Sequence, residues 1–215
     1  RLIDQHYLNA IGWRGIRQRK LNLQILIQDA MARLREVQAP VHVLDIAAGH
    51  GRYVLDALST DIKPDSIRLR DYSQLNVLAG QKLIKERQLD QIAQFEKLNA
   101  FDRNNYQNLD PCPTLGIVSG LYELFADNDL INQSLQGFGD ALISGSYLIY
   151  TNQPWHPQLE MIARCLTSHR QGDAWVMRRR SQAEIDQLVA KAGFKKVRQL
   201  IDDDGIFTVS LACKI

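Results

Sequence analysis

The stretch Val43-Leu-Asp-Ile-Ala-Ala-Gly-His-Gly-Arg52 decides the fold of this chain. An apolar run there ends in an acidic residue and enters a turn of small residues, spaced Asp45-x-Ala47-x-Gly49-x-Gly51. Small side chains let the backbone turn sharply and approach a ligand closely. A strand, such a turn and a helix are together typical of nucleoside-cofactor binding. Because a glycine pattern alone is weak evidence, the rest of the chain has to support it.

The composition is that of an ordinary globular protein, with 45% hydrophobic and 23% charged residues in a chain of 215. Its length suits one main domain. We expect a helical cap over residues 1–38 and the main domain over residues 39–215. The formal net charge of +2 argues against a nucleic acid partner.

The three cysteines, Cys112, Cys165 and Cys213, lie far apart and have no CxxC spacing. This pattern argues against a disulfide framework and a zinc cluster and favours a cytoplasmic location. No histidine has a second ligand at metal spacing, so no metal site is expected. No apolar run reaches the roughly 20 residues that a membrane-spanning helix needs, and a signal-peptide pattern is absent. Since the chain begins at Arg1 and not at Met, we expect a piece of a longer protein.

The predicted elements alternate between strand and helix. Short apolar or alternating runs predict strands over residues 41–46, 66–71, 92–98, 115–119 and the end of 141–150, then a hairpin over 196–201 and 206–213. Helical spacing predicts two helices between residues 4 and 34, with a break at Gly12 and Gly15. This order predicts an α/β fold with a doubly wound, mainly parallel, Rossmann-like sheet of seven strands that ends in an antiparallel hairpin.

Polar residues follow the first four predicted strands. They are Asp45 with its turn, Asp71-Tyr-Ser73, Asn99-Ala-Phe-Asp102 and Gly120-Leu-Tyr-Glu123. In a doubly wound sheet the ligand lies outside the carboxyl ends of the strands, where the strand order reverses. We therefore expect these four segments to form one ligand site.

These segments resemble those of the class I S-adenosylmethionine-dependent methyltransferases, from about residue 41 onward. The resemblance implies S-adenosylmethionine as the cofactor. Its methionine part would contact Asp45, Ala47, Gly49, Gly51 and Arg52. Asp71 would bind the ribose hydroxyls, as a carboxylate can accept hydrogen bonds from both. The other implied cofactor-binding residues are Tyr72, Asn99, Ala100, Phe101, Asp102, Gly120 and Tyr122.

Two alternatives to a methyltransferase stay open. NAD-dependent oxidoreductases share a glycine turn and an acid about 20 residues further on. They usually carry the fuller GxGxxG motif, whereas this chain has Asp45 before the turn and Ala47 in place of the first glycine. The other alternative is a non-catalytic S-adenosylmethionine-binding module that regulates a fused hydrolase.

The segments Asn152-Gln-Pro-Trp-His-Pro157 and Trp175-Val-Met-Arg-Arg-Arg-Ser-Gln-Ala-Glu184 look like a bacterial methyltransferase family often found behind an α/β-hydrolase domain. This resemblance implies that the chain is one half of a longer protein with a hydrolase domain. The acceptor is then expected to be a small-molecule or lipid-like substrate.

Two residues are candidates for a catalytic base, because a carboxylate or an imidazole can take a proton from the acceptor. They are Glu123 and His156, although the first could cap a helix and the second could be an ordinary packed ring. Tyr7, Trp155 and Arg178 are candidate substrate-binding residues. The run Arg178-Arg-Arg180 could bind an anionic group or only be solvated.

Overall fold

The computed structural model describes residues 8–58, 63–168 and 172–215. Strands in these ranges form one seven-stranded sheet in the order β3-β2-β1-β4-β5-β7-β6. The strands are β1 (His42–Ile46), β2 (Ser66–Asp71), β3 (Ala93–Lys97), β4 (Leu115–Val118), β5 (Tyr147–Asn152), β6 (Phe194–Ile201) and β7 (Thr208–Lys214).

The strand pairing confirms the predicted doubly wound fold. Strands β1 to β5 are parallel, and β7 runs antiparallel between β5 and β6. The strand order reverses at β1 and β4, which opens a crevice outside their carboxyl ends. The usual dinucleotide-binding order is 3-2-1-4-5-6. The insertion of β7 therefore sets this sheet apart from that of the nicotinamide-dependent enzymes.

Helices cover both faces of the sheet. They are α1 (Ile11–Glu36), α2 (Arg52–Asp56), α3 (Gln74–Glu86), α4 (Asn128–Ala141), α5 (Leu159–Cys165) and α6 (Gln182–Lys191), with short 3₁₀ helices at Arg103–Tyr106 and Tyr122–Leu124. Buried side chains of α1, α2 and α3 form one apolar cluster with the sheet, and those of α4 and α6 form a second. Strand β1 supplies Val43 to the first cluster and Leu44 to the second, because successive side chains point to opposite faces.

The predicted break at Gly12 and Gly15 was wrong, because α1 runs without interruption for 26 residues. Both glycines instead permit close packing. A Cβ at Gly12 would lie 2.7 Å from His156 Nε2, and one at Gly15 would lie 2.9 Å from Phe207 Cδ2. Helix α1 also shares the first apolar cluster through Leu26 and its neighbours. The domain boundary after residue 38 stays a prediction.

No helix in the described ranges is long and apolar enough to cross a membrane. Across the same ranges, no three side chains of the types His, Cys, Asp and Glu come together in a group that could hold a metal ion.

Candidate functional site

The turn after β1 brings three residues with positive φ to the crevice. The φ angle is 54° at Ala47, 59° at Gly49 and 71° at Gly51, a region that favours glycine. A Cβ at Gly51 would lie 2.4 Å from Leu69 Cδ1, whereas one at Gly49 meets no atom within 4 Å. Gly51 is therefore needed for packing. Gly49 leaves open space beside the backbone, as a ligand cradle requires.

The carboxylate of Asp71 ties the end of β2 to this turn. Its Oδ2 accepts a hydrogen bond from the Gly49 backbone N–H at 2.9 Å. Its Oδ1 accepts from the Ser73 N–H at 2.8 Å and from Asn76 Nδ2 at 3.0 Å. A carboxylate has about four lone-pair sites, so three donors leave it room for one more. Asp71 thus stands where it was predicted, at the glycine turn.

Asp45 lies beneath the turn and not at its surface. Its side chain is fully buried, and both carboxylate oxygens are 2.7 Å from the Tyr53 hydroxyl. Burial raises the pKa of Asp45 well above its usual range; the Tyr53 hydrogen bond opposes this shift, and the nearby Asp71 charge adds to it. Asp45 is therefore suited to holding α2 against β1, and a direct ligand contact would require it to become exposed. Arg52, at the start of α2, is exposed.

The segment after β3 is organised by its own polar side chains. Asn99 Oδ1 accepts from the Phe101 N–H at 3.0 Å, and Asp102 Oδ1 accepts from the Asn104 N–H at the same distance. Asp102 therefore caps the 3₁₀ helix that follows. The Phe101 ring contacts Phe125 edge-on, with centroids 4.6 Å apart. The Phe101 ring and the Ala100 side chain are both half-buried.

Next to Gly120, at the end of β4, lies a cavity of about 760 Å³. Helix α1, the segments that follow β4 and β5, and the stretch at Trp175 and Met177 line it. Most of its lining is apolar: Ala10, Trp13, Ile16, Leu124, Met161, Ile162, Leu166, Trp175, Met177 and Phe207. The volume falls in the range of roughly 300–1,000 Å³ that is typical of small-molecule sites.

Glu123 and Gln153 are buried polar residues in this lining, 7% and 2% exposed. Glu123 Oε1 pairs with Arg19 Nη1 at 3.3 Å, and the Arg19 guanidinium also lies 4.7 Å from the centre of the Phe207 ring. Neither Glu123 Oε2 nor Gln153 Nε2 has a hydrogen-bond partner in the part of the chain that the structure describes. Two residues of the lining thus carry a buried unpaired atom, an acceptor on Glu123 and a donor on Gln153.

His156 also lines the cavity and is 6% exposed. Its Nδ1 accepts a hydrogen bond from the Gln158 N–H at 3.1 Å, so the neutral ring carries its proton on Nε2. Burial lowers the pKa of His156, and the Asp202 charge opposes this shift. Burial and the hydrogen bond to Nδ1 therefore favour a neutral ring that donates from Nε2.

We expect His156 to make the protein less stable in mild acid. Its pKa is lower in the folded chain than the ordinary 6.5, so the unfolded chain binds the proton more readily as the pH falls through that value. The free energy of unfolding should drop between about pH 7.5 and about pH 5.5, and His156→Gln should reduce that drop. Urea denaturation at the two pH values measures it. Equal drops in the two proteins would contradict the assignment.

A family model described as "Putative methyltransferase" matches residues 1–214. The chain belongs to this methyltransferase family. A curated relative, "Uncharacterized protein YnbC" of Escherichia coli (strain K12), is 56% identical over 214 residues. The match covers 100% of this chain but only 37% of the relative, so the chain aligns with one part of a longer protein.

Solved structures of methyltransferases share the fold. An S-adenosylmethionine-dependent methyltransferase from Clostridium acetobutylicum ATCC 824 superposes with a TM-score of 0.68 at 12% identity, over 98% of this chain and 97% of that one. The magnesium protoporphyrin IX methyltransferase of Synechocystis PCC 6803, solved with bound S-adenosylhomocysteine, gives 0.66 at 13% identity, over 100% and 99%. The predicted family and fold are confirmed.

Several predicted site residues of this methyltransferase-family chain have other surroundings. Tyr122 is 3% exposed, and its hydroxyl lies 3.0 Å from Ser134 Oγ in the core, so its side chain does not face the crevice. Gly120 lines the neighbouring cavity, and its N–H donates to Thr151 Oγ1 at 2.9 Å. Tyr72 is 73% exposed beside Asp71. Tyr7 lies outside the described residues.

The two other predicted substrate contacts are not in the cavity lining. Trp155 is 44% exposed. Arg178 is tied to the protein itself, because its guanidinium donates to the Ala126 carbonyl, Asn128 Oδ1 and Glu184 Oε1 at 2.6–2.7 Å. These bonds hold the guanidinium against the protein, and the substrate-binding role of Arg178 stays a prediction.

Sequence reasoning missed Arg19 and assigned no role to Gln153. Arg19 lies 104 residues before its partner Glu123, and no spacing in the sequence relates the two. Gln153 directly follows β5. Its place after a strand end is the signal that could have identified it.

Proposed function

We propose that this protein transfers a methyl group from S-adenosylmethionine to a small apolar or lipid-like molecule. One observation carries the proposal: the open backbone at Gly49, tied to Asp71, shares the carboxyl edge of the sheet with an apolar cavity. A cofactor site and an acceptor site that meet at one edge are what group transfer needs.

The residues of the crevice fit this cofactor. Gly49 leaves space where a side chain would otherwise stand. Asp71 has acceptor capacity for a ribose hydroxyl, and Tyr72 offers an exposed ring beside it. The segment 99–102 offers the half-buried ring of Phe101 for the adenine. The Synechocystis methyltransferase that shares this fold was solved with bound S-adenosylhomocysteine, which supports S-adenosylmethionine as the cofactor here.

The chain's part in the reaction is to position the acceptor and exclude water. When bound, S-adenosylmethionine supplies a methyl group that its sulfonium has already activated. The apolar lining removes water from the acceptor. Glu123 Oε2 is the free carboxylate oxygen that can take a proton, and Arg19 holds the other oxygen in place. His156 orients the acceptor as a neutral donor.

We also propose that the chain works within a longer cytoplasmic protein that has a hydrolase domain. The length of the Escherichia coli relative supports this proposal, since the chain spans 37% of it. A hydrolase domain acting on esters or acyl groups would suit an apolar acceptor in the neighbouring cavity.

Thermal unfolding with two ligands tests the cofactor. At a concentration about 100 times its dissociation constant, a ligand stabilises the folded chain by about 2.7 kcal/mol. For a domain of this size we expect S-adenosylhomocysteine to raise the Tm by about 5–10 °C. NAD at the same concentration should leave the Tm unchanged. A rise with NAD alone would overturn the proposal in favour of an oxidoreductase.

A further inference from the structure

Two buried polar atoms of opposite character belong to residues that line the apolar cavity, and the described part of the chain leaves both unpaired. Glu123 Oε2 can only accept a hydrogen bond when the carboxylate is ionised, and Gln153 Nε2 can only donate one. Both side chains are more than nine-tenths buried, and both lack a partner among the described residues. A buried polar group without a partner costs free energy. A ligand that satisfies both atoms would remove this cost.

The charge of the lining restricts which head group can do so. Glu123 is already paired with Arg19, so the two charges cancel. The side chain of Arg178 is occupied elsewhere. A carboxylate ligand would place a second negative charge beside Glu123 with no free cation in the lining of described residues. Burying an unpaired charge is costly.

Hydrogen-bonding capacity separates the uncharged and cationic candidates. An ammonium group donates only, so it would leave Gln153 Nε2 unpaired. A thiol is a weak donor and a weak acceptor. A hydroxyl group donates through its proton and accepts through its oxygen. It alone among these groups matches both Glu123 Oε2 and Gln153 Nε2.

We propose that the methyl acceptor is an apolar alcohol or phenol whose hydroxyl donates to Glu123 Oε2 and accepts from Gln153 Nε2. This inference rests on the proposed methyl transfer. The hydroxyl oxygen forms a bond to the methyl carbon as the carbon–sulfur bond of the sulfonium donor breaks. The bonding pair stays on sulfur, which becomes a neutral thioether, and the hydroxyl proton passes to Glu123. The hydrocarbon part of the acceptor fills the space around Ile16, Met161 and Phe207.

Three eight-carbon probes that differ only in their head group test the inference by binding. We expect the protein with S-adenosylhomocysteine to bind 1-octanol at least about tenfold more tightly than octylammonium or octanoate, in calorimetry at neutral pH. Tighter binding of octanoate or octylammonium, or no binding of 1-octanol, would overturn the assignment of a hydroxyl.

Substitutions of Gln153 link the preference to the cavity. Gln153→Leu should weaken 1-octanol binding by about tenfold, because the hydroxyl loses its donor. Gln153→Glu replaces the donor with a second acceptor and should shift the preference to octylammonium. The matched control is Gln107→Leu, at an exposed position, and it should bind as the wild type does. Unchanged 1-octanol binding in Gln153→Leu would overturn the inference, provided that circular dichroism shows both variants folded.

The same calorimetry separates this inference from the proposed function. Titration with S-adenosylhomocysteine alone reports the cofactor site, and titration with the probes reports the cavity. If S-adenosylhomocysteine fails to bind while 1-octanol binds with the expected dependence on Gln153, methyl transfer fails and the hydroxyl site stands. If S-adenosylhomocysteine binds and the three probes bind equally, the hydroxyl assignment fails and the proposed cofactor site stands.

Discussion

Replacing Asp71 with alanine is expected to weaken S-adenosylhomocysteine binding by about 100-fold. The carboxylate accepts from the Gly49 N–H, the Ser73 N–H and Asn76 Nδ2, so its loss releases the glycine turn from β2. The proposed bond to the ribose is lost as well. Hydrogen bonds to a charged group contribute about 1.5–3 kcal/mol each, and about 1.4 kcal/mol corresponds to a tenfold change in affinity. Calorimetric titration measures the change.

Two further variants make this result specific. Asp71→Asn keeps the size of the side chain but turns an amide N–H₂ toward backbone donors, so its affinity should also fall. Asp129→Ala removes an exposed carboxylate from the first turn of α4 and should leave the affinity unchanged. An Asp71→Ala affinity within about twofold of the wild type would show that the cofactor does not bind at this strand end.

Replacing Arg180 with methionine is expected to lower the free energy of unfolding by about 3–5 kcal/mol. Arg180 is 1% exposed. Its guanidinium donates to the Tyr122 carbonyl at 2.6 Å, the Phe125 carbonyl at 2.7 Å and Asn128 Oδ1 at 2.8 Å. These bonds fix the segment between β4 and α4 that carries Glu123. Methionine fills much of the volume but leaves these acceptors without the guanidinium, and burying them unpaired is costly.

The neighbouring arginine provides the control for this prediction. Arg179 is exposed, so Arg179→Met should change the free energy of unfolding by less than about 0.5 kcal/mol. Arg180→Lys keeps the charge but cannot reproduce the fork of donors, so most of the loss should remain. Urea denaturation compares the three variants. Similar stability of Arg179→Met and Arg180→Met would contradict the structural role.

The fold could be predicted from the sequence because its signals are local. Residues 66–71 were predicted as a strand, and β2 has the same bounds, since an alternating run there ends in Asp71. Ser181 and Glu184 have the Ser-x-x-Glu spacing of a helix-capping box, and the Ser181 hydroxyl accepts from the Glu184 N–H at 3.1 Å. The prediction of a helix break at Gly12 and Gly15 was wrong, because glycine occurs both where helices break and where helices pack closely. Only the neighbouring segments tell which applies.

Residues of the candidate site could be predicted from the sequence only where they directly follow a predicted strand. Asp71 and Gly49 were predicted as site residues in this way, and the structure brings them together. Arg178 and Arg180 could not be told apart from the exposed Arg179, because burial depends on tertiary contacts that three adjacent arginines do not reveal. The pairing of Arg19 with Glu123 depends on how α1 packs against the sheet. No local pattern encodes such a contact.

A crystal structure of the protein with S-adenosylhomocysteine tests the central claim most directly. The account predicts density for the ligand along the carboxyl edge of the sheet, with its ribose at Asp71 and its backbone contact at Gly49. The sulfur should point toward the cavity that contains Glu123 and Gln153. Ligand density away from the Gly49 turn, or a sulfur that faces away from this cavity, would contradict it.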